Sequence, residues 1–378
     1  MADNKDKKVL NVPALRFPEF TEGWATKSIS DLATVIGGGT PDTTVKSYWN
    51  GDIQWFTPSE IGKNKYVDLS LRTITEEGLN NSSAKLLPPY TILLSSRATV
   101  GECSIALQEC ATNQGFQSLI AKNCDMDFLY YLIQTKKKEL IRKACGSTFL
   151  EISANEIRKI HTYVPSINEQ KKIGVLLSLI DKRIATQNKI IEKLGTLIKG
   201  IRNNIMSKIK GDCITLQDIA DIYQPQTIAS TDLTEDGYLV YGANGIIGKY
   251  HSFNHEKEQI CITCRGNTCG TVNFTEPKSW ITGNAMVINT DNYAKNVNKR
   301  YLFHYLSSIN FNSIISGSGQ PQIVRQPLAK LKLILPVLII QNRIAECLDA
   351  MFAKMKNEQS FLQILQIQKS CLLSQMFI

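Results

Sequence analysis

An internal repeat limits this chain more than any other feature. "VPSINEQKKIGVLLSLIDKRI" (164–184) returns as "LPVLIIQNRIAECLDAMFAKM" (335–355), with Pro165 and Pro336, Gln170 and Gln341, and Ile173 and Ile344 each 171 positions apart. Further pairs follow in the same order along the chain. "SDLATVI" (30–36) resembles "QDIADIY" (217–223), "LLSSRATVGE" (93–102) resembles "ICITCRGNTCG" (260–270), and "TNQGFQSLIA" (112–121) resembles "TGNAMVINTD" (282–291). "FLYYLIQ" (128–134) matches "YLFHYLS" (301–307), and "GSTFLEISANEIRKIHTYVP" (146–165) matches "GSGQPQIVRQPLAKLKLILP" (317–336). The offset falls from 187 near Asp31 to 168 at Arg97, so the first copy carries extra loop residues. The chain is therefore two copies of one plan, and that plan has to be read before any single element.

Each copy divides in two. Its first part mixes short β-branched and aromatic runs with turn signals such as "GGGTPDT", "TEEGLNN", "TEDG" and "YGANG". This pattern predicts an α+β domain, with a helix near 126–145 in the first copy and near 296–315 in the second. After the proline come about forty residues without turn chemistry. In the first tail Ile173, Leu177, Ile180, Ile184, Gln187, Ile191, Leu194, Ile198, Ile201 and Ile205 alternate in steps of four and three. In the second, Ile344, Leu348, Met351, Met355, Glu358, Leu362, Leu365, Lys369, Leu372 and Met376 keep the same register. That period belongs to a helix packed along a partner helix. At a rise of 1.5 Å per residue each spans roughly 60 Å.

The expected architecture is α+β, with a pseudo-two-fold internal repeat. Globular domains at 1–165 and 211–336 are joined by long antiparallel coiled-coil helices at 166–210 and 337–378. Antiparallel packing brings the midpoints of the helices together, so Gln187 and Glu358 would share one central region. Each is either a register-fixing polar seam position or a solvated edge.

Composition adds bounds rather than identity. Hydrophobic content of 43%, with 20% charged residues, is that of a globular chain. The longest apolar run, 333–340, is broken by Pro336 and too short to span a bilayer. "MADNKDKKVL" has no apolar core and reads as a short frayed tail rather than a secretory signal. Ten scattered cysteines suit a reducing cytoplasm. A net charge of +9 permits a polyanionic partner without requiring one.

Two similar but non-identical domains on a rigid antiparallel spacer suit a pseudo-two-fold ligand such as duplex DNA, whose half-sites lie about 34 Å or more apart. At this point the motifs converge. "VPALRFPEFTEGW" (12–24), the "LSSRATVG" and "ITCRGNTCG" strands, "NQGFQSL", the two junctions and the closing "LLSQMFI" (372–378) resemble the specificity subunit of a type I restriction–modification system, across essentially the whole chain. The resemblance implies that the two globular units are target recognition domains, each reading one part of a bipartite asymmetric DNA sequence. It implies that the helices bind two modification subunits that methylate adenine N6 with S-adenosylmethionine. Two restriction subunits, ATP- and Mg-dependent motor-nucleases, can join them. No catalysis, cofactor or metal is expected in this chain itself, and no membrane.

The residues themselves argue against chemistry of their own. "LPPY" (87–90) mimics the catalytic turn of an adenine methyltransferase, but Leu87 cannot accept a hydrogen bond from the target amine. "VIGGGTPD" (35–42) lacks the following helix that a phosphate loop needs, and no G-x-x-x-x-G-K-[ST] occurs. Cys261, Cys264 and Cys269, with His251 and His255 upstream, have zinc-like spacing. The first copy, however, has Leu93 and Ser96 at the matching positions, so small buried side chains are the better reading. His161 and His304 have no evident partners and read as surface or packing residues.

Candidate DNA contacts are loop donors. In the first domain "FTPSEIGKNKY" supplies Thr57, Ser59, Lys63, Asn64 and Lys65; "SSRAT" supplies Ser96, Arg97 and Thr99; "TNQGFQ" supplies Asn113, Gln114 and Gln117. In the second, "YGANGIIGKY" supplies Asn244, Lys249 and Tyr250; "CRGNT" supplies Arg265, Asn267 and Thr268; Asn284, Gln320, Gln322 and Arg325 complete the set. Arg97 and Arg265 occur in both copies, which fits a shared fold or the shared phosphate backbone. Base discrimination is expected where the copies diverge, at 56–66 and 242–250. "KKK" at 136–138 and "KK" at 171–172 read as solvated faces, with phosphates or an acidic partner as alternatives. The rival readings are a self-contained DNA methyltransferase and a duplicated protein-binding adaptor.

Overall fold

The computed structural model describes residues 11–146, 150–243, 245–317 and 319–378; the N-terminal tail at 1–10 and Asn244 lie outside these. The chain forms two compact units. One holds the residues up to Asn188 together with Phe361–Ile378, and the other is Lys189–Ser360. Each unit therefore takes its own globular part plus a piece of each long helix, Ile167–Lys208 and Leu338–Gln375.

In the first unit, strands order as Ala33–Gly37, Gln117–Ala121, Ile92–Leu94, Cys103–Ala106 and Tyr66–Val67. In the second, the equivalent sheet runs Asp221–Tyr223, Ala285–Asn289, Ile260–Thr263, Val272–Phe274, with no fifth strand among the described residues. A smaller sheet accompanies each. Trp49–Phe56 pairs antiparallel with Arg72–Ile74 and parallel with Cys110–Thr112. Tyr238–Gly242 likewise pairs antiparallel with Gly245–Tyr250 and parallel with Trp280–Ile281. Finally Ala25–Ser28 pairs with His161–Val164, and Asp212–Thr215 with Lys332–Leu335. The repeat read from the sequence is thus a repeat of strand order and strand direction.

The side-chain period of two explains the layers. Ile92 and Leu94 pack toward the helices with Phe128 and Leu129, while Leu93 joins Phe56, Leu87 and Phe116 under the small sheet. Ile260 and Ile262 face Leu302 and Leu306, whereas Cys261 faces Tyr241 and Ile281. Cys261 and Cys264 therefore lie in different apolar clusters, on opposite faces of the sheet.

The junctions explain the repeated proline and glutamine. Gln170 is buried; its Nε2 donates to Pro165 O at 2.9 Å and its Oε1 accepts from Asp125 N at 2.9 Å. Gln341, also buried, donates to Pro336 O at 2.8 Å and Asn296 O at 2.9 Å, and accepts from Asn298 N at 2.8 Å. Asp125 and Asn298 are in turn the N-caps of the helices Met126–Thr135 and Lys299–Leu306. One buried amide thus locks the start of a long helix to the start of the domain helix in each copy, satisfying backbone groups that burial would otherwise leave unpaired.

Every seam position read from the 4-3 spacing is buried or half-buried in both helices. In the first unit Ile173 and Leu177, from the start of one helix, share a core with Met376 and Phe377 at the end of the other. In the second, Met206 packs with Ala345 and Leu348. Start meets end in each unit, so the two helix segments run antiparallel. Gln187 is buried; Glu358 is half-buried and takes Lys354 Nζ at 2.6 Å.

Two sequence expectations change. The helix expected over 296–315 ends at Leu306, because the following "SSINFNS" offers turn and cap side chains instead of helix formers. The helix expected over 126–145 breaks at Lys136 into Met126–Thr135 and Lys137–Lys143.

Candidate nucleic-acid interface

The same loop stands at the centre of both units. In the first it runs from Ser95 to Glu102, closed by Gly101 N→Ser95 O at 3.0 Å and Ser95 N→Glu102 O at 2.8 Å. In the second it runs from Thr263 to Thr271, closed by Gly270 N→Thr263 O and Thr263 N→Thr271 O, both at 2.9 Å. Each loop carries its arginine followed by a left-handed residue: Ala98 at φ 60° after Arg97, Gly266 at φ 83° after Arg265. The loops dock on equivalent neighbours. Ser96 N binds Gly115 O and Cys264 N binds Asn284 O; Ile152 N binds Ser96 O and Ile323 N binds Cys264 O.

The arginines differ in charge environment. Arg97 bridges Glu151 across the backbone and pairs with its carboxylate at 2.6 Å. Arg265 bridges Gln322 at the equivalent place and is exposed, with no acidic partner among the described residues. Around Arg97 gather Asn113, Gln114 and the Thr57–Glu60 turn. Asn113 N binds Phe56 O at 3.1 Å, Asn113 Oδ1 accepts from Gly115 N at 2.8 Å, and Gln114 accepts from Thr40. Thr57 caps its turn through Glu60, with Ser59 exposed beside it. Around Arg265 gather exposed Asn267, Asn284, Gln320 and Gln322, while Thr268 Oγ1 donates to Ala243 O at 3.0 Å.

Several sequence candidates sit elsewhere. Lys65 is turned inward: its ammonium pairs with Asp127 at 2.6 Å, donates to Tyr131 and Ser178, and has a side chain only 7% exposed. Burial beside an anion explains why it cannot serve a surface groove. Ser96 is fully buried, and its backbone, not its hydroxyl, holds the loop. Thr99 and Asn64 are exposed beside the loop and strand, as is Lys63; Gln117 is half-buried at the start of an inner strand, opposite Gly37. Lys249 faces Asp236 at 3.5 Å, and Tyr250 packs against Trp280, several residues from the arginine loop along their hairpin. Arg325 donates Nε to Ile222 O at 2.7 Å and so ties its helix to the edge strand. The expectation that 242–250 forms one reading segment therefore separates into the Ala243 end, against Thr268, and the Lys249 end.

His304 corrects a sequence reading. It is fully buried and bonds Asp349 Oδ1 through Nε2 at 2.7 Å, beside the Arg300–Asp349 pair. Burial pushes its pKa down, and although Asp349 opposes this, the Arg300 and Arg202 charges reinforce it. For Asp349 burial acts to raise the pKa, but hydrogen bonds from Arg300 and His304 outweigh it and hold the carboxylate low. At the matching place in the first unit stands Tyr131, whose hydroxyl donates to Asp181 at 2.6 Å, with Lys369 on that carboxylate at 2.8 Å. The sequence missed this tie because His304 and Asp349 are 45 residues apart.

The catalytic-looking motifs are taken up by packing. Leu87 is buried and exchanges backbone hydrogen bonds with Cys110. A Cβ on Gly38 or Gly39 would collide with the 112–113 or 83–84 backbone, so these glycines serve close packing rather than a phosphate cradle.

The motif opening the chain has a structural role. Arg16 forks onto buried Glu169 at 2.7 and 2.8 Å, Trp24 Nε1 reaches the same carboxylate, and Trp24 packs edge-on against Phe128 and Phe377.

A family model for the type I restriction modification DNA specificity domain matches the chain twice, over residues 21–196 and 212–366. The chain belongs to this family. It is 40% identical over 179 residues to the type I restriction enzyme MjaIX specificity subunit of Methanocaldococcus jannaschii, a match covering 45% of this chain and 41% of that relative. To the EcoprrI specificity subunit of Escherichia coli it is 26% identical over 370 residues, 91% of this chain and 90% of the relative. The crystal structure of a type I S subunit from M. genitalium has the same fold, with a TM-score of 0.63 over 97% of this chain and 99% of that one at 17% identity. No helix among the described residues is long and apolar enough to cross a membrane.

Proposed function

We propose that this chain is the DNA-specificity subunit of a type I restriction–modification enzyme, a non-catalytic reader of a two-part asymmetric duplex target. The observation that carries the reading is the paired loop. Two copies of one backbone frame present an arginine and amide side chains at equivalent places, with different neighbours in each copy. An identical frame gives identical docking, and different side chains give different half-sites.

In this reading the long helices seat two modification subunits, and restriction subunits join where present. Val175, Leu179, Leu197, Ile364 and Ile367 are exposed apolar side chains outside the seam, a pattern that fits protein docking. S-adenosylmethionine, ATP and Mg belong to those partners, since neither the "LPPY" turn nor the glycine cluster of this chain fits such a group.

The test is a genome-wide N6-methyladenine map with the gene intact and deleted. Loss of one split, asymmetric motif on deletion is expected. An unchanged map, with the modification subunits present and active, refutes the reading.

A further inference from the structure

Each unit carries a cleft where the end of its domain helix meets the end of the crossing long helix. In the second unit the cleft is about 440 Å³, lined by Lys199, Arg202 and Asn203 on one wall and by Ser308, Asn310 and Asn312 on the other. In the first unit the equivalent cleft, about 480 Å³, has Leu373 and Ser374 at the register positions of Arg202 and Asn203. Its charge comes from the opposite wall, from Lys138 and Arg142, while Lys136 donates to Ile378 O at 3.3 Å and Glu139 is the lining's acidic side chain. The two copies thus keep a basic cleft in the same place with cations contributed by different elements. Packing has no reason to conserve charge in that manner, whereas a shared anionic ligand does.

A second observation points the same way. Arg202 Nε is buried without a hydrogen-bond partner among the described residues. An arginine that leaves a donor unsatisfied is a costly residue to keep for packing alone. The Lys138 and Arg142 side chains are exposed and have no acidic partner among the described residues. The arginine loops lie at the cleft or beside a helix that lines it. Gly270 and Thr271 line the second cleft directly. In the first, Gly101 lies against Lys137, whose ammonium pairs with Glu102.

We propose that the two clefts are equivalent seats for the phosphate backbone of the duplex, one per unit and indifferent to base sequence. Arginine and lysine suit this role because they offer charge-assisted donors to phosphate oxygens. The inference rests on the reading of this chain as a duplex-binding subunit.

The test uses the full chain and two duplexes of unrelated sequence, titrated between about 0.05 and 0.2 M salt. Lys199→Gln/Arg202→Gln should weaken both duplexes by the same factor, roughly tenfold, and flatten the log–log salt slope by about two. Lys138→Gln/Arg142→Gln, at exposed positions that leave packing intact, should do the same through the other unit. Arg202→Lys should recover most of the slope. Wild-type slopes in both double variants, with the wild-type chain binding duplex, overturn the inference and leave the specificity reading standing. Loss of retention on polyglutamate with an unchanged duplex slope reassigns the clefts to an acidic protein. A wild-type chain that binds neither duplex at any salt removes the inference, while the specificity reading answers to the methylation map.

Discussion

The two arginine loops share a backbone to the level of individual hydrogen bonds, yet Arg97 is neutralised by Glu151 while Arg265 faces the neutral Gln322. The domain-to-helix ties diverge in the same way. Tyr131 meets Asp181 and Lys369 in one unit, and His304 meets Asp349 and Arg300 in the other. Backbone hydrogen bonds are the conserved frame because an unpaired buried amide destabilises either copy equally. Side-chain charges are free to differ wherever another group can compensate them.

The comparison breaks first at its strongest point, the junction glutamines. Gln341→Ala strands three hydrogen-bonded groups and should cost about 3 kcal/mol, and Gln170→Ala, with two, about 2 kcal/mol, in denaturant unfolding. Losses under ~1 kcal/mol in both would show that the repeated residue is not the clamp.

The helix ties separate the units by pH. With its pKa pushed below the ordinary value of about 6.5, His304 is protonated less readily in the folded chain than in the unfolded one. Its contribution is therefore complete above that value and is lost as pH falls below it. Protection of the Lys299–Leu306 helix in hydrogen exchange should drop in mildly acidic buffer, while that of Met126–Thr135 holds. His304→Tyr, which copies the first unit, should abolish the drop.

A smaller effect tests the loop itself. Ala98 at φ 60° is strained, so Ala98→Gly should stabilise the first unit by up to ~1 kcal/mol. Gly266→Ala, where an added Cβ meets nothing within 4 Å, should cost the second about as much from backbone strain alone. The smallest stability change belongs to Glu151→Gln, under ~0.5 kcal/mol for a half-exposed pair. It should nevertheless steepen the salt dependence of duplex binding by about one, making Arg97 resemble Arg265. Gln322→Glu should do the reverse.

How much of this was legible depends on the distance over which each signal acts. The 4-3 spacing, the register of both seams and the order of the repeats are local or periodic, and the folded chain keeps them. The paired arginines were legible because they recur in matching context. Lys65 was not, since nothing near it in sequence announces Tyr131 and Ser178, 66 and 113 positions away. The same holds for Arg325, whose carbonyl partner is 103 residues distant.

Local pattern along the chain is enough to establish two copies of one α+β plan, each ending in a long seam-bearing helix. Periodicity and turn chemistry are set by short-range sterics and by which face is apolar. Folding in three dimensions settles that each compact unit takes pieces of both helices, which lysines and arginines are spent inside the fold, and which opposite walls make a cleft basic. Those outcomes depend on side chains brought together from far along the chain, where burial and charge pairing act through space.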